Sequence, residues 1–190
     1  MICIHECQIH GIQTPRTPVE MSKPNLTLLP DNPIGKIPAL ILDDGSVLYD
    51  SPVICEYLDS EHSTGRLFPS KESGRRWKAL RRQALGDGIL DALLWWRYER
   101  AKPEELRIKA LTDTFDAKIT SCLDVLEMEA ASLAADDFSI GHISIGCALS
   151  YLDFRFNDLQ WRQGRQKLED WHSQFKIRPS VIATDFIDDS

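Results

Sequence analysis

Three places in this chain carry residue types whose spacing suggests chemistry. The first is Asp50-Ser51-Pro52. Ser51 is a good helix N-cap and Pro52 suits a first helical position, where no amide proton is needed. A helix start exposes unpaired amide donors and roughly half a positive charge, so it attracts a carboxylate. By itself the tripeptide reads as a well-capped helix. The second is Gly35-Lys36-Ile37-Pro38-Ala39-Leu40, which alone reads as a bulged strand start with proline on an edge and a solvated lysine. The third is Cys3, Cys7 and His10, which share one face of a helix at i, i+4 and i+7. They offer only three metal ligands on a short helix, so a core-facing stripe is the stronger reading. Trp95, Trp96, Arg97 and Tyr98 suit either an apolar pocket or a core with an interface.

These residues need elements to position them. Ala39–Leu42 and Val47–Tyr49 flank Asp43-Asp44-Gly45-Ser46, and Asp-Gly supplies the positive φ angles of a tight hairpin turn. The helix opened by Ser51 has an apolar face of Val53, Ile54, Tyr57 and Leu58. Upstream, Pro15 and Pro18 leave room only for an edge strand or an irregular one near Ile12–Thr17. Beyond Gly74 the period becomes helical. Trp77, Leu80, Ala84, Leu85, Ile89, Leu93 and Trp96 mark one long helix to about Arg100. Pro103 opens the next, with a stripe of Leu111, Phe115, Ile119, Cys122, Leu126 and Leu133. From Ser139 apolar residues nearly surround the axis, which places this helix at a bundle centre. Phe138 and Ile143 form a hydrophobic staple there. A last helix carries Leu168, Trp171 and Phe175 and stops at Pro179. The organisation expected is a small α/β domain over 1–62, a turn-rich linker over 63–72 and an all-helical domain over 73–190.

Composition narrows the function classes. Of 190 residues, 43% are hydrophobic and 27% charged, which suits a packed globular chain. A net charge of -7 argues against nucleic acid and anionic lipid as partners. Five cysteines without a CxxC pair read as reduced thiols of a cytoplasmic protein. The start carries His5, Glu6 and His10, unlike the apolar core of a signal peptide. The most apolar stretch, Phe138–Phe156, is broken by His142, Asp153 and Arg155, and reads as a buried helix rather than a membrane span.

Asn32-Pro33-Ile34-Gly35-Lys36-Ile37-Pro38-Ala39-Leu40, then Leu48-Tyr49-Asp50-Ser51-Pro52-Val53-Ile54-Cys55-Glu56-Tyr57-Leu58, resembles the thioredoxin-like domain of bacterial glutathione transferases. The resemblance continues through Gly141–Phe156 and Arg178-Pro179-Ser180 and so covers nearly the whole chain. It implies a thioredoxin-like domain followed by the family's helical bundle. It implies that Pro38 is cis and that the exposed N–H and C=O of Ile37 pair with glutathione as an added strand would. Ser51 and the helix start would hold the γ-glutamyl carboxylate, Asp50 would accept from the α-ammonium group, and Lys36 would reach the glycyl carboxylate. The implied activity is transfer of the glutathione thiolate to a small hydrophobic electrophile, in the service of detoxification, by a homodimer that needs no metal. The alternatives are a glutathione-dependent reductase or dehalogenase on the same scaffold, and a non-catalytic relative kept for binding or scaffolding. By the same resemblance Met1–Cys7 matches the later turns of the family's first helix. The opening strand and the thiolate-activating residue would then precede Met1, and the catalytic residue within this chain is unknown. In the family the residue three after the Ser or Thr that caps the central helix is usually Asp. His142 stands there, which predicts a helix start weaker by under ~1 kcal/mol.

Overall fold

The protein is described from a computed structural model that covers residues 1–18, 20, 23–61 and 67–185. Its chain divides into two compact units, the first closing at Leu67 and the second opening at Phe68. The fold class is a small thioredoxin-like α/β unit and an all-helical unit.

In the first unit α1 (Ile2–Glu6) is a single short helix, and β1 (Leu40–Ile41) pairs antiparallel with β2 (Val47–Leu48). Leu40 faces Leu48 and Ile41 faces Val47. The turn between them takes the expected Asp-Gly form, with Gly45 at φ +83° and Ser46 N–H on the Asp44 carboxylate at 2.8 Å. α2 (Ser51–Glu61) follows. Cys3, Cys7, Leu28, Ile54, Leu58 and Leu67 are the buried apolar residues of this unit, and Asp59 in the last turn of α2 accepts the Leu67 N–H at 2.6 Å. Val53, expected on the apolar face, is 48% exposed instead. Among the described residues before Leu40 there is no strand, so Ile12–Thr17 takes the irregular form. The helical face proposed for Cys3, Cys7 and His10 breaks up because α1 ends at Glu6. Gln8 turns left-handed at φ +54°, and His10 lies outside the helix and exposed. Among the described residues no group of His, Cys, Asp or Glu could hold a metal ion.

The second unit is built on α3 (Arg75–Arg100), α4 (Lys109–Ala135), α5 (Ile140–Arg155), α6 (Gln166–Lys176) and the single turn α7 (Pro179–Ile182). As the apolar wrapping of its sequence predicts, α5 is the central helix, with ten of its residues buried. α3 packs against it closely at Gly86, where a Cβ would stand 2.3 Å from Ser144 Oγ and 2.5 Å from the Ser144 backbone. Only glycine permits that approach.

The second half of α3 buries Ile89, Leu93 and Trp96 as expected, but in its first half the buried face departs from the expected stripe. Trp77 is 72% exposed and Ala84 also faces solvent, while Arg82, Gln83 and Glu99 are buried. Arg82 can be buried because Asp136 at 2.7 Å and the Ser132 hydroxyl at 2.6 Å receive its guanidinium. Glu99 takes the Lys102 ammonium at 2.5 Å and the Ile108 N–H at 2.6 Å, closing the connection between α3 and α4. Pro103 precedes a 3-10 turn (Glu104–Leu106) and not α4 itself, and Leu111 is exposed. α6 ends at Lys176. Pro179, expected as a stop, is the first residue of α7, as its fixed φ allows.

The start of α5 departs from expectation in an informative way. His142 closes the capping box, its Nδ1 accepting the Ser139 N–H at 3.1 Å. Its Nε2 then donates to the Leu133 carbonyl at 3.1 Å, a bond no aspartate could make. Burial pushes the imidazole's pKa down, in keeping with this neutral role. Phe138 lies 5.5 Å from the His142 ring and 6.5 Å from that of Phe175, centroid to centroid.

Candidate functional site

The open end of the β1–β2 hairpin gathers the residues singled out in the first unit. Leu40 opposite Leu48 sets Pro38, two residues earlier, in register with Asp50, two residues later. Two stretches 12 residues apart in sequence thereby reach one end of the hairpin. The Ile37–Pro38 peptide bond is cis, as is Tyr49–Asp50. Ile37 lies outside the ladder and is 53% exposed; Lys36 beside it is exposed.

Asn32 builds the approach to Ile37. It is 1% exposed, donates from Nδ2 to the Lys36 carbonyl at 2.7 Å and accepts the Ile34 N–H at 3.0 Å. Its own carbonyl receives the Gly35 N–H at 2.9 Å. Gly35 sits at φ +70°, a region where a side chain is strained, and this turn aims Lys36 and Ile37 outward. Sequence reasoning gave Asn32 no role, although Asn-Pro is a turn signal that marks such a position.

At the helix start the division of labour is shifted by one residue. Asp50, not Ser51, is the N-cap: its carbonyl accepts the Ile54 N–H at 3.1 Å and its carboxylate accepts the Ser51 N–H at 2.5 Å. Ser51 is the first helical residue and Pro52 the second. Proline has no amide proton, so the first turn offers the amides of Ser51 and Val53 and the Ser51 hydroxyl. Asp50 already occupies one of these donors with one oxygen and keeps its second oxygen for a cation. The arrangement can therefore hold a carboxylate and an ammonium side by side, next to the bend at Ile37.

Cys3 and Cys7 of the first unit are not placed to stabilise a thiolate. Cys3 and Cys7 are both buried. A hydrogen bond with the Cys55 side chain, followed by burial, pushes the Cys3 thiol up, and burial does the same for Cys7.

Comparison with known proteins bears on this arrangement. Residues 1–61 match the glutathione S-transferase N-terminal domain family and residues 97–173 the C-terminal domain family. A glutathione transferase family member from Pseudomonas fluorescens Pf-5, crystallised with bound glutathione, is 43% identical. The match covers 96% of this chain and 90% of that one, with a TM-score of 0.91. A glutathione S-transferase from Methylobacillus flagellatus KT, also with glutathione bound, is 30% identical over 98% of this chain and 92% of its own, with a TM-score of 0.86. The uncharacterized GST-like protein YibF of Escherichia coli (strain K12) is 33% identical over 126 residues. That match spans 65% of this chain and 62% of YibF, so it takes in less than two thirds of the relative's length. With both domain families matched and a relative 43% identical across nine tenths of its length, the chain belongs to the glutathione transferase family.

Proposed function

We propose that this protein binds glutathione at the open end of the β1–β2 hairpin and transfers its thiolate to a small hydrophobic electrophile. The observation that supports the reading is the register: Leu40 pairs with Leu48, so exposed Ile37 and the Asp50–Ser51 helix start both follow from the same end of the ladder. Glutathione offers an extended peptide with a carboxylate and an ammonium on one carbon at its γ-glutamyl end. The backbone of Ile37 takes the cysteinyl unit as a short strand. Ser51 Oγ and the Val53 amide take the carboxylate, and the second oxygen of Asp50 takes the ammonium. Lys36 serves the glycyl carboxylate. The glutathione-bound relatives support this reading by their similarity.

The same reading makes the protein a cytoplasmic homodimer, with domains over 1–62 and 73–190. No described helix is long and apolar enough to cross a membrane. Retention of the purified protein on immobilised glutathione, with release by soluble glutathione, tests the binding step. Conjugation of glutathione to chlorodinitrobenzene tests transfer.

One observation favours a second reading, a glutathione binder without transferase activity. Cys3 and Cys7 are buried and held as thiols, so neither assists a substrate thiolate. Retention on the resin with no conjugation above the uncatalysed rate would decide for it.

A further inference from the structure

α1 and α2 bring three thiols of the first unit together. The Cys3 and Cys7 sulfurs are 3.9 Å apart, and the Cys3 thiol also donates to the Cys55 backbone carbonyl at 3.8 Å. Exposure separates the three. Cys3 is 3% and Cys7 1% exposed, whereas Cys55, one turn into α2, is partly open to solvent. A reagent in solution therefore meets Cys55 first and finds Cys3 directly behind it. None of the contacts assigned to glutathione uses these sulfurs.

We propose that Cys55 and Cys3 form a redox-active thiol pair that a small disulfide oxidises to a disulfide bond joining α2 to α1. The Cys55 sulfur, as thiolate, attacks one sulfur of the small disulfide. That S–S bond breaks and its second half leaves as a thiolate, which takes a proton from water. Cys3 then loses its proton to solvent and attacks the Cys55 sulfur of the mixed disulfide, expelling the first half as a second small thiol. Two protein thiols are oxidised, one small disulfide is reduced to two thiols, and excess small thiol reverses the reaction. The Cys55 side chain, then burial, keep Cys3 protonated, which makes the second step the slow one. Cys7 shares the short α1 segment with Cys3 and is shielded from reagent, so it stands aside.

The test uses the intact 190-residue protein under native conditions with hydroxyethyl disulfide as oxidant, followed by blocking of remaining thiols, trypsin and mass spectrometry. Cleavage after Arg16, Lys36 and Arg66 places Cys3 and Cys7 in peptide 1–16 and Cys55 in peptide 37–66. The expected product is peptide 1–16 joined to peptide 37–66, with two of the five thiols lost and recovered by dithiothreitol. Cys7→Ser should retain the cross-link, and Cys3→Ser should leave a stable mixed disulfide on Cys55. A stable adduct on Cys55 in the unmodified protein, an internal bond within peptide 1–16, a cross-link persisting in Cys3→Ser, or a cross-link formed only in urea would each overturn the proposal. Because the unmodified protein supplies the decisive map, a variant that fails to fold does not blunt the test.

Discussion

The two units solve the problem of holding shape by different means. The second unit encloses a helix on all sides and ties its neighbours with buried polar side chains: Arg82, Glu99, Ser144, His142 and His172. His172 is fully buried, its Nε2 3.0 Å from Ser150 Oγ and its Nδ1 3.8 Å from Asp153. Arg162 and the Trp161 indole converge on the same carboxylate. The first unit has one two-stranded sheet and a small cluster of cysteines and aliphatics. Its buried polar side chains, Asn32 and Asp59, hold nearby backbone N–H and C=O groups rather than join helices, and Asp50 stands at an edge, at the start of α2. Polar groups sealed inside fix packing; polar groups at an edge leave donors and acceptors for a ligand.

If that contrast is sound, perturbing the second unit should cost stability and perturbing the first should cost binding. The largest effect is expected from Gly86→Val. Its added carbons have no room beside Ser144, and about 4 kcal/mol or more of stability should be lost. Thermal unfolding followed by circular dichroism reads this directly, and a melting curve like that of the unmodified protein would show that the two helices can part.

Acid should act next, through His172. Burial lowers its pKa to about 4, and the nearby Arg162 and Lys176 charges also lower it, against the opposing pull of Asp153. The unfolded chain therefore takes up a proton before the folded one does. Stability from neutral His172 is complete above about pH 6.5 and is lost as pH falls toward 4, by about 3 kcal/mol in all. Asp153 adds to the loss only at lower pH. Burial alone raises its carboxyl, but bonds from Arg162 and Trp161 hold it below the usual range. Denaturant midpoints between pH 7 and pH 4.5 should fall for the native sequence and fall less for His172→Gln.

Ser51→Ala moves the experiment to the first unit. It should weaken glutathione by about 1–3 kcal/mol in calorimetry while leaving the melting temperature nearly unchanged, because Asp50 rather than Ser51 caps α2. An unaltered affinity would put the carboxylate elsewhere. The smallest effect belongs to His142→Asp. A carboxylate strengthens the α5 cap but leaves the Leu133 carbonyl without its donor, for a net loss of about 1 kcal/mol. A gain in stability would mean that the cap outweighs the second bond.

The hairpin, the helix that follows it and the central helix were legible because each rests on local signals: Asp-Gly, Ser-Pro and apolar residues that nearly surround the helix axis. The facing of the first half of α3 was not, although Ile89, Leu93 and Trp96 further along are buried as their spacing implies. A hydrophobic template cannot know that Arg82 will meet Asp136 and Ser132, and once that arginine is inside, the helix must roll Trp77 outward. The cap showed the same limit at finer scale. Asp and Ser cap helices about equally well by type, so the tripeptide alone does not say which of Asp50 and Ser51 takes the place, and it is Asp50 that does. Asn32 was hidden because its work is done through backbone atoms four residues away.

Glu99 carries a consequence for how this protein can change. One buried carboxylate spans the connection from α3 to α4, gripping Lys102 on one side and the Ile108 amide on the other. The ends of that connection are fixed by a residue outside it, so the stretch from Pro103 to Leu106 has little to do in holding the helices together. Doubling the length of such a loop costs only about 0.6 kcal/mol in closure entropy. Insertions and exchanges can accumulate there while both long helices keep their places, which makes this corner of the bundle a natural entry point for new sequence.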